Sequence, residues 1–297
     1  MIEEARARLV TVRDTLRYAV SRFNAAGLSY GHGTQDAFDE AAYLILHTLH
    51  LPLDRLDPFL DARLTATEMD AVLDIVERRV QLRVPAPYLT GEAWLNGYRF
   101  RVDERVIVPR SLLAAMIKDG LAPWIENPTA IWRVLDLCTG SGCLAIIAAE
   151  AFPNANVDAI DVSPQALEVA ALNVKDYGME SRVRLIASDL AAKVAHERYD
   201  VIVTNPPYVN SKSISALPQE FLREPALALN GGPDGMAVVR RILAQAREIL
   251  AEHGVLVMEI GHEREHFEAA FPDLTPTWLE TGEAEGAVLL VHREDLP

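Results

Sequence analysis

Two short stretches of this chain carry residue types that can do chemistry together. The first is Asn205-Pro206-Pro207-Tyr208, which follows the apolar run DVIVT. Proline fixes φ and removes backbone donors, so the turn presents the Asn205 side-chain oxygen and the Pro206 carbonyl as acceptors, with Tyr208 as a flat wall. That pattern suits a planar NH2 group. A neutral amide nitrogen is a weak nucleophile because its lone pair is delocalised into the carbonyl. Acceptors on its hydrogens favour the pyramidal form that can attack a methyl group, and they stabilise the positive charge that then develops. Against an activated methyl, such as that of a sulfonium, the attack is in line and calls for no metal. The His residues form no metal-ligand spacing, so no metal site is expected.

The second stretch is Asp136-Leu137-Cys138-Thr139-Gly140-Ser141-Gly142, which ends the apolar run WRVLDL and opens directly into CLAIIAAEA. A glycine turn between a strand and a helix lets backbone approach a nucleotide-like ligand, in the crevice beyond the carboxyl ends of parallel strands. Asp161, closing the next apolar run, VDAID, is placed to accept hydrogen bonds from ribose hydroxyls. The loop also satisfies G-x-G-x-x-A through Ala145, so by itself it leaves a nicotinamide dinucleotide and S-adenosylmethionine both open. Cys138 and Cys143 are the only cysteines, and no basic residue nearby in sequence would activate either. They read as reduced packing residues.

These stretches need elements to hold them. After Ile131 the runs WRVLDL, VDAID, VRLIAS, DVIVT and GVLVMEI alternate with helical segments expected at 142–151, 164–177 and 237–252. Such alternation predicts a doubly wound, mostly parallel α/β sheet covered on both faces. Ser163-Pro164 opens one helix, and Gly178 and Gly254 stand where helices are expected to stop. The last run, AVLLVHR, has no room for a crossover helix before it, so it is expected to pair antiparallel at the sheet edge. Ahead of the sheet, the apolar spacing of Leu9, Val12, Leu16, Ala19, Val20 and Phe23 predicts one amphipathic helix over 3–26. A second helix is expected at 38–51, closed by Pro52. Thr65 and Glu68 form a capping box ahead of a third. Asn96-Gly97 between Trp94 and Tyr98 is a hairpin turn. The expected organisation is a helical domain over 1–84, a β-hairpin linker over 85–111 and an α/β domain over 112–297.

The chain has 297 residues, 50% of them hydrophobic and 24% charged, which is enough for two cores. Lys plus Arg number 28 against 43 Asp plus Glu, for a net charge of −15. That is the wrong sign for a surface that tracks a phosphate backbone, so direct nucleic-acid binding is not expected. No uncharged run reaches the ~18 residues of a membrane span. Glu3, Glu4, Arg6 and Arg8 interrupt the place of a secretory signal, so a soluble cytoplasmic protein without membrane partners is expected.

The motifs in 136–142 and 205–208, with Asp161 and Ser188-Asp189, resemble those of the HemK-like protein-glutamine methyltransferases, which use S-adenosylmethionine. The resemblance extends over nearly the whole chain. PYLTGEAW at 87–94, VIVPRS at 106–111, the cysteine in the glycine loop, and the stretch from Leu217-Pro-Gln-Glu220 through Glu224-Pro225 to Gly232-Pro-Asp-Gly235 are most similar to one branch. That branch methylates ribosomal protein three of the large subunit; release-factor methyltransferases are the nearest relatives. The resemblance implies a class I methyltransferase sheet behind a substrate-recognising helical domain. It implies a cofactor site of Asp136, Cys138, Thr139, Gly140, Ser141, Gly142, Asp161, Asp189, Leu190 and Asn205. In it Asp161 holds the ribose, Asp189 and Leu190 border the adenine, and Asn205, Pro206, Pro207 and Tyr208 bind the glutamine amide. Cys138 departs from the group by standing where the first loop glycine is usual, and Leu190 by standing where release-factor enzymes carry an aromatic. Arg110 either orients a substrate or the domains, or makes a structural ion pair. Three alternatives stay open: a release factor as substrate, the exocyclic amine of adenine in DNA, and a nicotinamide-dependent oxidoreductase, which leaves the 205–208 turn without a task.

Overall fold

The computed structural model describes residues 2–282 and 285–297; Met1, where the first expected domain begins, lies outside the described residues. The chain divides into two compact units. One runs to Ala93 and also takes in Pro218–Arg223; the other comprises Trp94–Leu217 and Glu224–Pro297.

The first unit is helical: α1 (Ile2–Arg8), α2 (Val12–Ala26), α3 (Ala37–Thr48), α4 (Ala66–Leu82) and α5 (Ala86–Thr90). The single helix expected over 3–26 is two. Thr11 caps α2 through a reciprocal pair: its hydroxyl accepts from the Asp14 N–H and Asp14 accepts from the Thr11 N–H, at 3.2 and 3.0 Å. That local bond outweighs the continuing apolar period. The expected box of Thr65 and Glu68 opens α4. Val12, Leu16, Ala19 and Phe23 of α2 pack on Leu44 and Ile45 of α3 and on Val72 and Val76 of α4. Inside this unit Arg79, fully buried, donates to Glu40 at 2.7 Å, to Glu220 at 3.3 Å and to the Ser29 carbonyl at 2.9 Å.

The second unit is built on a seven-stranded sheet. A two-stranded sheet of β1 (Glu92–Leu95) and β2 (Tyr98–Arg101) precedes it, turning at Asn96 and Gly97, both in the left-handed region. The stretch 85–111 is therefore divided between the units. The Tyr43 hydroxyl and Thr90 hydroxyl stand 2.9 Å apart within the helical unit, while Phe100 packs on Tyr177 of the sheet unit. The main strands are β3 (Arg133–Leu137), β4 (Asn156–Asp161), β5 (Val183–Ala187), β6 (Tyr199–Thr204), β7 (Leu250–Glu259), β8 (Thr277–Leu279) and β9 (Val288–His292), in the order β5-β4-β3-β6-β7-β9-β8. The first five are parallel, and β9 pairs antiparallel with β7 and with β8. The edge is thus β8; the final run lies one strand further in.

Helices α6 (Leu113–Lys118), α7 (Cys143–Ala151), α8 (Pro164–Asp176), α9 (Ser211–Ile214), α10 (Ala226–Leu229), α11 (Ala237–Ile249) and α12 (Arg264–Ala270) complete this unit. Both faces of the sheet are covered. Val134, Val201 and Val255 face one core with α6 and α7, and their neighbours Leu135, Ile202 and Leu256 face another with α11 and Phe267. Burial on both faces explains the unbroken apolar runs. Helix α11 passes straight into β7, so Gly254 is a strand residue rather than a helix stop. A Cβ there would stand 2.9 Å from the Tyr199 carbonyl, which only glycine relieves. No helix of the described residues is long and apolar enough to cross a membrane.

Candidate active site

Strands β3 and β6 are parallel neighbours, in register Leu137↔Thr204. The glycine loop leaving β3 and the proline turn leaving β6 therefore emerge side by side at the carboxyl edge, where the strand order switches direction. A hydrogen bond from the Thr204 hydroxyl to the Leu137 carbonyl, 2.8 Å, ties the two exits together.

In the loop, Cys138 has φ 62°, Gly140 φ 54° and Gly142 φ 80°. Cys138 thus adopts a backbone conformation that glycine takes freely, in keeping with the glycine usual at that place in the resembled group. Gly142 caps α7, and a Cβ on it would approach Ala170 to 3.2 Å, so it serves close helix packing. Asp136 is wholly buried and accepts from the Thr139 hydroxyl at 2.5 Å. Burial pushes its carboxyl up to about 7, helped by the charge of Asp161 and opposed by that hydrogen bond. Asp161 receives backbone N–H bonds on both oxygens, from Gly140 at 2.9 Å and Ser163 at 2.8 Å. Burial raises it and those bonds pull it back. Burial also raises both the Cys138 and the Cys143 thiol, which works against forming the nucleophilic thiolate.

Loop and turn open into one cavity of about 430 Å³, within the range of small-molecule sites. Of the residues expected at the site, Cys138, Thr139, Gly140, Ser141, Asp161, Asp189, Leu190, Asn205, Pro207 and Tyr208 line it. Asp136, Gly142 and Pro206 do not; they stand behind the wall as supports. The Asp189 carboxylate is exposed and pairs with Arg241 at 2.7 Å, while Leu190, with φ 48°, is buried.

The cavity also has residues that sequence reasoning missed. Glu259, the last residue of β7, accepts from the Tyr208 hydroxyl at 3.2 Å and from the Ser111 hydroxyl at 2.5 Å. Its one sequence signal is a carboxylate inside the otherwise apolar run GVLVMEI. Arg110 grips buried Glu224 with two bonds, 2.5 and 2.7 Å, so the structural ion pair is the expectation for Arg110 that the structure carries. Glu224 further accepts from the Val108 N–H at 2.9 Å. Asn173, buried, donates to the Ser141 carbonyl at 2.8 Å and steadies the glycine loop. Gly231 and Gly235 lie against the turn, where a Cβ on Gly235 would be 2.3 Å from the Tyr208 carbonyl.

All three arginines on the wall are neutralised. Arg105 pairs with Asp103 and Glu168, Arg110 with Glu224, and Arg241 with Asp189. A nucleoside carrying a sulfonium asks for no uncommitted cation, and the residues present fit it.

The chain matches the methyltransferase small domain over residues 121–253. The ribosomal protein uL3 glutamine methyltransferase of Bordetella pertussis is 61% identical over 291 residues, covering 98% of each chain. That of Burkholderia pseudomallei is 56% identical over 294 residues, 97% of this chain and 96% of the relative. Among solved structures, the hMettl16 catalytic domain in complex with MAT2A 3′UTR hairpin 6 superposes with a TM-score of 0.51, at 12% identity, over 75% of this chain and 80% of the other. At that identity the likeness concerns the fold.

Proposed function

The chain belongs to the ribosomal protein uL3 glutamine methyltransferase family, and we propose that it transfers a methyl group from S-adenosylmethionine to the side-chain amide nitrogen of a glutamine in ribosomal protein uL3. The observation that supports the reading most is the register Leu137↔Thr204, which sets a nucleoside-type loop and an amide-gripping turn on one cavity.

When bound, S-adenosylmethionine supplies an electrophilic methyl group on sulfur. The protein's part is binding, orientation and charge. Asp161, its oxygens aimed by two backbone N–H groups, accepts from the ribose hydroxyls. Residues 139–141 wrap the amino-acid end, and Val162, Leu190 and Val238 supply apolar wall for the base. Asn205 accepts an N–H of the glutamine amide, which localises the nitrogen lone pair and offsets the positive charge that grows as the new bond forms. Buried Pro206 holds the turn rigid, and the Tyr208 ring limits the amide to one plane. Neutralised arginines leave the cavity without net attraction for phosphate, in keeping with a protein rather than a nucleic-acid substrate. A ribosomal protein substrate is in keeping with a cytoplasmic reaction that acts on uL3 before it is buried in the ribosome.

Side-by-side transfer assays with free uL3, assembled ribosomes, a release factor and duplex DNA test this reading, with mass spectrometry locating the modified residue. Methylation of one glutamine in free uL3 is expected. Transfer to the release factor or to DNA, with none to uL3, refutes it.

A further inference from the structure

The proposed reaction explains the loop and the turn but leaves Glu259 without a task. The parallel register Thr204↔Met258 brings the ends of β6 and β7 together, so Glu259 stands next to the 205–208 turn. It is 4% exposed and lines the cavity. One oxygen accepts from the Tyr208 hydroxyl at 3.2 Å; the other accepts from the Ser111 hydroxyl at 2.5 Å and the Leu112 N–H at 3.0 Å. Its partners there are hydroxyl and N–H groups, which satisfy the lone pairs; burial raises the carboxyl above its ordinary range and these hydrogen bonds pull it back. A buried carboxylate held this way costs more than a neutral isostere of similar volume. Two residues on, Gly261 forms the seat of the Tyr208 ring: a Cβ there would lie 2.7 Å from Cε2. Ring and hydroxyl are thus both located by the 259–261 segment. The same carboxylate anchors the chain that carries Arg110, a wall residue held by its ion pair with Glu224.

We propose that Glu259 is a positioning residue for methyl transfer: acting through the Tyr208 hydroxyl, it sets the ring that aligns the glutamine amide with the methyl donor. The inference rests on the function proposed above. A carboxylate accepts all three hydrogen bonds at once and fixes the Tyr208 hydroxyl as a donor, whereas a Gln oxygen can keep the Ser111 and Leu112 bonds but its NH2 then faces Tyr208 and reverses that bond, so the hydroxyl must turn to accept. The misalignment falls on the reacting step and leaves the cofactor's binding surfaces in place.

The test is a double-mutant cycle of Glu259→Gln and Tyr208→Phe, read as kcat and KM for free uL3, with cofactor affinity from calorimetry. Glu259→Gln is expected to lower kcat about 10-fold or more, while uL3 KM and S-adenosylmethionine affinity move by less than about 3-fold. On the Tyr208→Phe background, where the hydroxyl is already gone, the same change is expected to cost less than about 3-fold, because the two residues act as a unit. If Glu259→Gln fails to fold, Ser111→Ala replaces it in the cycle, since it removes one of the two bonds on that carboxylate oxygen and leaves the carboxyl group itself in place; the same lack of additivity is expected. A full-rate Glu259→Gln enzyme, fully additive effects, or a loss confined to cofactor affinity overturns the inference while leaving the methyltransferase reading intact. A wild-type chain that methylates no glutamine overturns both.

Discussion

Asn205 and Asp161 line the same cavity but are asked for different free energies. Asn205 acts on charge that exists only while the methyl group moves, so Asn205→Ala is expected to lower kcat by about 10²-fold or more, with cofactor affinity changed far less. Steady-state kinetics beside calorimetry check this; near wild-type turnover would make the turn merely structural. Asp161 instead meets the ligand in its ground state. Asp161→Ala is expected to weaken S-adenosylmethionine binding about 10-fold or more, the scale of losing charge-assisted hydrogen bonds, and calorimetry reads it directly. A variant that binds the cofactor normally yet turns over slowly would assign Asp161 to the reacting step instead.

At the scale of elements, the proline turn is held from behind by backbone. A Cβ on Gly235 would be 2.3 Å from the Tyr208 carbonyl, and Gly235 itself has φ 79°. Gly235→Ala must push the turn away. By the sensitivity of reacting groups to displacements of an ångström, methyl transfer is expected to fall about 10²-fold. Cofactor affinity should stay near wild type, because the glycine loop after β3 is untouched; equal losses in binding and turnover would argue that the whole cavity had shifted. In the helical unit the corresponding keystone is Arg79. Removing it by Arg79→Met leaves Glu40 a buried carboxylate without its cation, a change that typically costs about 3–5 kcal/mol, while Glu220 keeps Arg83 at 3.1 Å. Hydrogen exchange is the measurement: amides of α3 and α4 should exchange faster while those of the central strands hold their protection. Unchanged exchange in α3 and α4 would show that the buried ions contribute little.

For the molecule as a whole, the net charge of −15 sets an approach field rather than a site. A free ribosomal protein is basic, so encounter is expected to be accelerated and screened. Raising salt from about 0.1 to about 1 M shortens the screening length from about 10 to about 3 Å, and kcat/KM for free uL3 should fall steeply while kcat at saturation holds. A flat response would confine the acidic surface to keeping the protein in solution.

What the chain's order alone determined was local in origin. The glycine loop, the proline turn, the hairpin at Asn96 and Gly97, and the caps at Thr65 and Ser163 depend on φ preferences and on hydrogen bonds within a few residues. The alternation of strands and helices depends on burial with a regular period. The break at Thr11 was equally local, since Thr11 and Asp14 were in view, but the apolar spacing running through them read as one helix. The resemblance of whole motifs then carried the reaction. Only the tertiary structure decided what stands behind those motifs. Glu259 meets Ser111 across 148 residues of chain, Arg110 meets Glu224 across 114, and Asn173 meets the glycine loop across 32. Pro218–Arg223 joins the helical unit through Glu220, which bonds Arg79 across 141 residues. Such pairs leave no period and no spacing in the sequence. They are made by sheet register and by the need of every buried charge for partners, and both are settled only once the whole chain has closed around them.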